Sequence, residues 1–207
     1  KMISVINYGF GNIGSIVNAL DRINIENKII EKPSDIHNYS HIILPGVGSF
    51  KKSMEVLNKM GWADEIKTYV KNGNFLVGIC LGMQILFNEG EEDGFSKGLG
   101  FIEGKVSKIK TKKNEILPHV GWNNLVNADY QDFIFSNIKK NVDYYFDHSY
   151  ECTPINKDAI IAETQYVSGK NFASIVRNKN IYGIQFHPEK SPPHGLNLLS
   201  NFSKLKK

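Results

Sequence analysis

Phe75-Leu76-Val77-Gly78-Ile79-Cys80-Leu81-Gly82-Met83-Gln84 decides how the chain is read. Phe75 to Ile79 is an apolar, partly β-branched run, the pattern of a buried strand. Gly78 to Gly82 spells G-x-C-x-G, a sharp turn with a cysteine at its apex. A helical pattern follows, with Leu81, Ile85 and Leu86 on one side. Strand, turn and helix together make a nucleophile elbow with sulfur in place of the serine oxygen. So tight a turn leaves little room for side chains two residues either side of the apex, and both those positions are glycine. The turn also sets Cys80 at a helix start, where unpaired N–H groups and the helix dipole favour negative charge. A lone cysteine is ordinarily a small buried hydrophobe. The two glycines after a strand reverse that reading.

Upstream of the elbow, strands and helices alternate. Met2 to Ile6, Lys28 to Glu31 and His41 to Leu44 read as strands. Ile13 to Ile23 reads as a helix with Ile13, Ile16, Val17 and Leu20 on its inner stripe, and Ser49 to Met60 and Trp62 to Asn72 as two more. Such alternation predicts a parallel sheet covered on both faces. Downstream the chain is richer in strands: Phe101 to Ile109, Leu117 to Val126, Asp143 to Tyr150, Ala159 to Gln165, Phe172 to Arg177 and Ile181 to Phe186. Asn178-Lys179-Asn180 is a tight reversal between two of them, and a last helix runs from His194 to Leu205. The expected fold is α/β: a mostly parallel central sheet flanked by helices, with additional antiparallel strands, in one domain over residues 1–207. Ligands in such sheets bind beyond the carboxyl ends of the strands, where Asn7 to Asn12, Pro45 to Gly48 and Cys80 all fall.

Composition bounds the function. The chain has 207 residues, 41% hydrophobic and 22% charged, which excludes a disordered chain. A net charge of +4, spread along the chain, does not imply nucleic acid. Lys105, Lys108, Lys110, Lys112 and Lys113 read as a solvated strand edge. Two cysteines without framework spacing suit a reducing compartment. No 18-residue apolar run predicts a membrane span, and the first strand begins without the layout of a signal peptide, so the expected compartment is cytoplasmic.

Three further segments carry chemistry. In Gln185-Phe186-His187-Pro188-Glu189-Lys190 a strand ends in His-Pro-Glu. On extended chain His187 and Glu189 face the same way, and Pro188 is expected to keep the chain extended. His187 then serves as base and Glu189 orients its ring, the logic of a triad gathered from distant sequence. H-x-E also opens a zinc deaminase signature, but the required P-C-x-x-C is missing, so no metal is expected. Pro45-Gly46-Val47-Gly48 follows a strand, and its glycines let backbone N–H groups approach a ligand. With the Leu81 N–H it would form an oxyanion hole. The rival is Gly9-Phe10-Gly11-Asn12-Ile13-Gly14, a dinucleotide fingerprint in outline with Glu31 at the end of the next strand. That reading leaves Cys80 and His187-Pro188-Glu189 without a purpose.

Taken together the chain resembles the class I, triad-type glutamine amidotransferases, and within them the glutaminase subunits of imidazole glycerol phosphate synthase. The resemblance rests on Tyr8-Gly9-Phe10-Gly11-Asn12, Pro45 to Phe50, Gly78 to Gln84, Pro118-His119-Val120-Gly121-Trp122-Asn123, His148-Ser149-Tyr150 and Gln185 to Ser191. It implies that Cys80 attacks the side-chain amide of glutamine, that His187 protonates departing ammonia and that Glu189 holds His187. It implies Val47 and Leu81 N–H groups as the oxyanion hole, and Gly48, Gln84, Glu92, Ser149 and Tyr150 around the substrate. For Gln84, one helical turn from Cys80, the spacing agrees. It also implies no cofactor and a heterodimer with a (β/α)8-barrel cyclase subunit of histidine biosynthesis, which receives the ammonia near Asn12, Trp122 and Lys190. The sequence departs from the family at Ile116-Leu117, Asp147 and Pro192-Pro193-His194. Those departures keep a second acceptor in view, because close relatives feed ammonia to enzymes of surface sugars. A γ-glutamyl hydrolase with the same triad is a further alternative, against which Pro118 to Asn123 speaks.

Overall fold

The computed structural model describes residues 2–112, 116–166 and 169–207. The first half holds β1 (Ile3–Ile6), α1 (Ile13–Arg22), β2 (Asn27–Ile30), β3 (His41–Leu44), α2 (Phe50–Lys59) and α3 (Trp62–Lys71). The elbow follows as β4 (Phe75–Ile79) and α4 (Leu81–Gln84), then β5 (Phe87–Gly90), β6 (Ser96–Lys97) and β7 (Ile102–Lys108). The rest is β8 (His119–Asn124), β9 (Asp143–His148), β10 (Tyr150–Pro154), β11 (Ile160–Gln165), β12 (Asn171–Asn178), β13 (Ile181–Ile184) and α5 (His194–Lys204).

The main sheet has seven strands in the order β11-β12-β13-β4-β3-β1-β2. From β13 to β2 every pairing is parallel, and β12 and β11 add antiparallel strands at one side. Cβ atoms alternate across each strand, so the sheet builds two cores. Ile43, Val77 and Ile79 pack toward α1 and α5 with Leu20, Leu198 and Phe202. Ile42, Leu44 and Leu76 pack the other way with Leu57, Trp62 and Ile66 of α2 and α3. Each fully buried aliphatic side chain contributes about 1.5–3 kcal/mol, and β4 is buried throughout, as the central strand of such a sheet must be. Among the described residues no helix is long and apolar enough to cross a membrane.

The departures from expectation have local causes. The helix after Cys80 lasts four residues; Ile85 and Leu86 are buried at a turn that feeds β5. A fully apolar run carries no period to tell helix from turn. With β6, β7 and β10, β5 makes a second sheet in the order β10-β7-β5-β6, while β8 and β9 form a two-stranded ribbon. The strand expected from Asp143 to Tyr150 breaks at Ser149, where the chain leaves that ribbon for the second sheet. β7 has neighbours on both sides, so Lys105, on its exposed face, and Lys108, at its end, belong to an inner strand rather than an edge. Lys113 lies outside the described residues.

The elbow needs its glycines for a steric reason. A methyl group at Gly82 would overlap the Leu44 carbonyl oxygen at the end of β3, and one at Gly78 would overlap the Gly82 carbonyl. Gly82→Ala should therefore destabilise the protein by about 3 kcal/mol or more, since the obstacle is backbone. A urea midpoint equal to that of the parent would contradict this packing.

Candidate active site

Cys80 sits between β4 and α4 at φ 56°, ψ −113°, a backbone that L residues avoid. Such a conformation costs on the order of 1–3 kcal/mol and persists only where the surroundings enforce it. Here its N–H donates to the Ile184 carbonyl at 2.7 Å, and its own carbonyl accepts from Met83 N at 3.0 Å and Gln84 N at 3.2 Å. The thiol faces the Asp147 carbonyl at 3.8 Å and the Gln185 amide nitrogen at 3.9 Å. The other cysteine, Cys152, is buried in the second sheet, and burial raises its thiol well above the ordinary value.

His187 follows β13 and reaches the same site. Its backbone N–H donates to Tyr145 at 2.9 Å. The ring Nδ1 lies 2.8 Å from Glu189 Oε1, with both side chains almost wholly buried. Pro188–Lys190 is a short 3-10 turn, not the extended segment expected, so the turn brings ring and carboxylate together. Ser191 closes that turn, donating to the His187 carbonyl at 2.7 Å and accepting from Tyr145 N at 2.9 Å. Burial alone would lower the pKa of His187. Hydrogen bonds with Cys80 and Glu189, and their charges, outweigh it and hold the pKa at about 10. The imidazolium is thus a positive charge set against the sulfur. Because the folded pKa is raised, this pairing stabilises the fold fully below about pH 6.5 and is lost as pH rises through about 10.

A pocket of about 260 Å³ opens over Cys80. Its walls include Val47, Gly48, Leu81, Gln84, Glu92, Ser149, Tyr150, His187 and Lys190. The Pro45-Gly46-Val47-Gly48 loop lies directly on the elbow: a methyl at Gly46 would come within 2.8 Å of Gly82 N and 2.9 Å of Leu81 Cβ. Leu81 begins α4, so its N–H has no partner within the helix. Glu92 Oε2 accepts from Phe50 N at 3.0 Å; burial raises its pKa. The Gln84 amide nitrogen is already engaged with the Tyr150 carbonyl at 3.4 Å and Gln185 Oε1 at 3.2 Å.

The three residues expected at a partner surface lie apart from this pocket or at its rim. Asn12 caps α1, accepting from Ser15 N at 3.3 Å, and borders a small recess shared with Val47, His187 and Glu189. Trp122 is 54% exposed and meets the Tyr145 ring edge-on, while Lys190 Nζ stands 5.6 Å from the same ring. The core tryptophan is Trp62. The glycine-rich Gly9 to Gly14 segment packs on the site: a methyl at Gly11 would come within 2.8 Å of Pro45 Cβ. Glu31 is engaged by Asn7 Nδ2 at 2.9 Å.

The glutamine amidotransferase class-I family matches residues 4–205. The imidazole glycerol phosphate synthase subunit HisH of Chlorobaculum tepidum is 38% identical, over 98% of this chain and 100% of that protein. Subunit HisH 1 of Prochlorococcus marinus is 42% identical, over 97% and 96%. The chain belongs to the class-I glutamine amidotransferases, in their HisH branch. The chloroplastic imidazole glycerol phosphate synthase hisHF of Arabidopsis thaliana is 39% identical over 98% of this chain, which spans 34% of that longer protein. Among solved structures, PurLQS from Thermotoga maritima superposes with a TM-score of 0.75 at 20% identity, over 98% and 97% of the two chains, which shows the fold.

Several residues of this amidotransferase's site escaped the sequence reading. The Tyr8 hydroxyl donates to the Pro45 carbonyl at 3.0 Å and so holds the loop from beneath. Gln185 and Ser191 belong to the quoted motifs, but nothing in their type announced a contact with Cys80 or His187. His119 and His148 form a buried pair beside the pocket. Because the Glu189 charge helps to raise His187, Glu189→Gln should lower the His187 pKa by about one unit or more in an NMR titration. An unchanged midpoint would show that the pair is not electrostatically coupled.

Proposed function

We propose that the chain is the glutaminase subunit of an imidazole glycerol phosphate synthase, working through a Cys80 thioester. The observation that carries this reading is Cys80 on a strained elbow, lining with His187, which Glu189 holds at 2.8 Å, a pocket with space for a small, amino-acid-sized molecule.

In this reading Cys80 Sγ attacks the side-chain amide carbon of glutamine, and a C–S bond forms. The oxygen takes the negative charge beside the Val47 and Leu81 N–H groups, the kind of donor worth roughly 10²–10³ in rate. His187 passes its proton to the amide nitrogen, the C–N bond breaks and ammonia leaves. Water then adds to the thioester carbon, giving a proton to His187; the C–S bond breaks, and glutamate and the thiolate are released. Glu189 keeps Nδ1 of His187 engaged throughout. Gly48, Gln84, Glu92, Ser149 and Tyr150 hold the substrate, with the Glu92 carboxylate suited to its α-amino group.

Ammonia released to water would be lost, so a partner must collect it. We assign that role to a (β/α)8-barrel cyclase subunit seated on the face with Asn12, Trp122 and Lys190. Trp122 suits such a surface, since exposed Trp backed by charge is typical of the few residues that carry binding energy. The altered neighbours lie close by: Ile116 is 84% exposed and Asp147 borders the pocket. They keep a surface-sugar acceptor as the second reading.

Growth separates the two. The gene, given with its own cyclase, should rescue a histidine auxotroph lacking this subunit, and Cys80→Ala should not. The purified Cys80→Ala complex should still work from an ammonium salt, because the acceptor site lies elsewhere. Failure to rescue, together with glutamine-dependent amination of a nucleotide sugar, would overturn the histidine assignment. Glutamine hydrolysis within tenfold of the parent in Cys80→Ala would overturn the nucleophile assignment.

A further inference from the structure

His119 and His148 belong to two segments of the resemblance, and the chemistry above uses neither of these two residues. The β8–β9 ribbon puts them directly opposite one another. Both are buried, under an aromatic cover: Phe146, Tyr166 and Phe172 have ring centroids 5.2, 5.0 and 5.7 Å from His119.

The hydrogen bonds of the pair run in one direction. His148 Nδ1 lies 2.8 Å from the Tyr150 carbonyl oxygen, which can only accept, so Nδ1 carries a proton. His148 Nε2 lies 3.0 Å from His119 Nδ1. Burial lowers the His148 pKa to about 3, and the nearby His187 acts in the same sense, so the ring is neutral and Nε2 has no proton. His119 Nδ1–H must then be the donor. The far nitrogen of His119, Nε2, stands 2.8 Å from the Asn123 side-chain oxygen; with the His119 proton on Nδ1 this contact requires the Asn123 amide turned so that its Nδ2 donates to Nε2.

The end of this chain of bonds is the wall of the pocket. The Tyr150 carbonyl that receives His148 also receives Gln84 Nε2. Ser149, between the two, is where the backbone leaves the ribbon for the second sheet, and its carbonyl accepts from Ile109 N at 3.0 Å. Ser149, Tyr150 and Gln84 all line the pocket over Cys80, as does His148 itself.

We propose that His119 and His148 are positioning residues for substrate glutamine: a one-way hydrogen-bond relay that fixes the Ser149–Tyr150 crossover and, through the Tyr150 carbonyl, Gln84. The proposal rests on the glutaminase reading of the pocket. It assigns the pair to substrate binding, not to the bond-breaking steps.

The test is the steady-state kinetics of glutamine hydrolysis by the full chain with its partner subunit present. His119→Leu removes the donor and should raise KM for glutamine about tenfold, the size of one lost buried hydrogen bond, with kcat within about threefold of the parent. His119→Asn keeps a donor at the δ position and should bring KM back to within about threefold of the parent. A merely structural role would instead lower kcat through loss of folded enzyme and leave KM alone; that result, or an asparagine variant no better than leucine, overturns the proposal. Should the leucine variant not fold, the ¹⁵N imidazole spectrum of the parent decides. At neutral pH His148 should carry its proton on Nδ1 with Nε2 bare, and a proton on Nε2 overturns the relay. A parent without glutamine hydrolysis would refute the glutaminase reading; normal hydrolysis with an unshifted KM in His119→Leu would refute the relay alone.

Discussion

The site depends on three backbones being closer than side chains allow. The end of β3, the turn after β4 and the start of α4 meet where Gly46, Gly78 and Gly82 have no Cβ. That contact holds Cys80 at positive φ, and it brings the Pro45-Gly46-Val47-Gly48 loop against the nucleophile. Parallel pairing of β3 and β13 with β4 then aligns three strand ends at one edge of the sheet. The loop, Cys80 and His187 follow those ends. A wide hydrophobic core on each face makes the edge rigid enough to bear the strain.

Electrostatics complete what sterics begin. His187 is buried, which by itself disfavours its charge, yet it keeps the proton because Cys80 and Glu189 face it. His148, a short distance away, has no such partner and is held neutral. Two buried histidines in one pocket thus differ in charge: burial prevails at His148, while Cys80 and Glu189 outweigh it at His187. One sits against the sulfur, and the other holds a wall through a fixed proton.

The fold class was legible because alternating strands and helices leave strong periods, as in α1, and because fully buried strands such as β4 read as unbroken apolar runs. β5, β6 and β10 were missed: two to five residues long, they follow a buried apolar turn or a break at one serine, where local pattern carries no signal. Cys80 stood out from local sequence alone, since G-x-C-x-G after a strand has few other meanings. His187 and Glu189 stood out as well, although their pairing comes from a 3-10 turn, not from extended chain. The contact between His119 and His148 spans 29 residues and depends on strand register, which no local pattern encodes. The edge expected at Lys105 and Lys108 fails for a similar reason: β10, which pairs alongside β7, follows a break that local pattern does not mark.

Cys80 is the nucleophile of this reading, facing the pocket, and the chain carries its own control. Both cysteines are free, and Cys152 is buried with its thiol raised far above the ordinary value. Treatment with an electrophilic glutamine analogue, followed by peptide mass spectrometry, compares the two directly. One adduct is expected, on the peptide carrying Cys80, formed in step with loss of glutaminase activity and prevented by excess glutamine. Labelling of Cys152 instead, or an unlabelled Cys80 in inactivated protein, would contradict it.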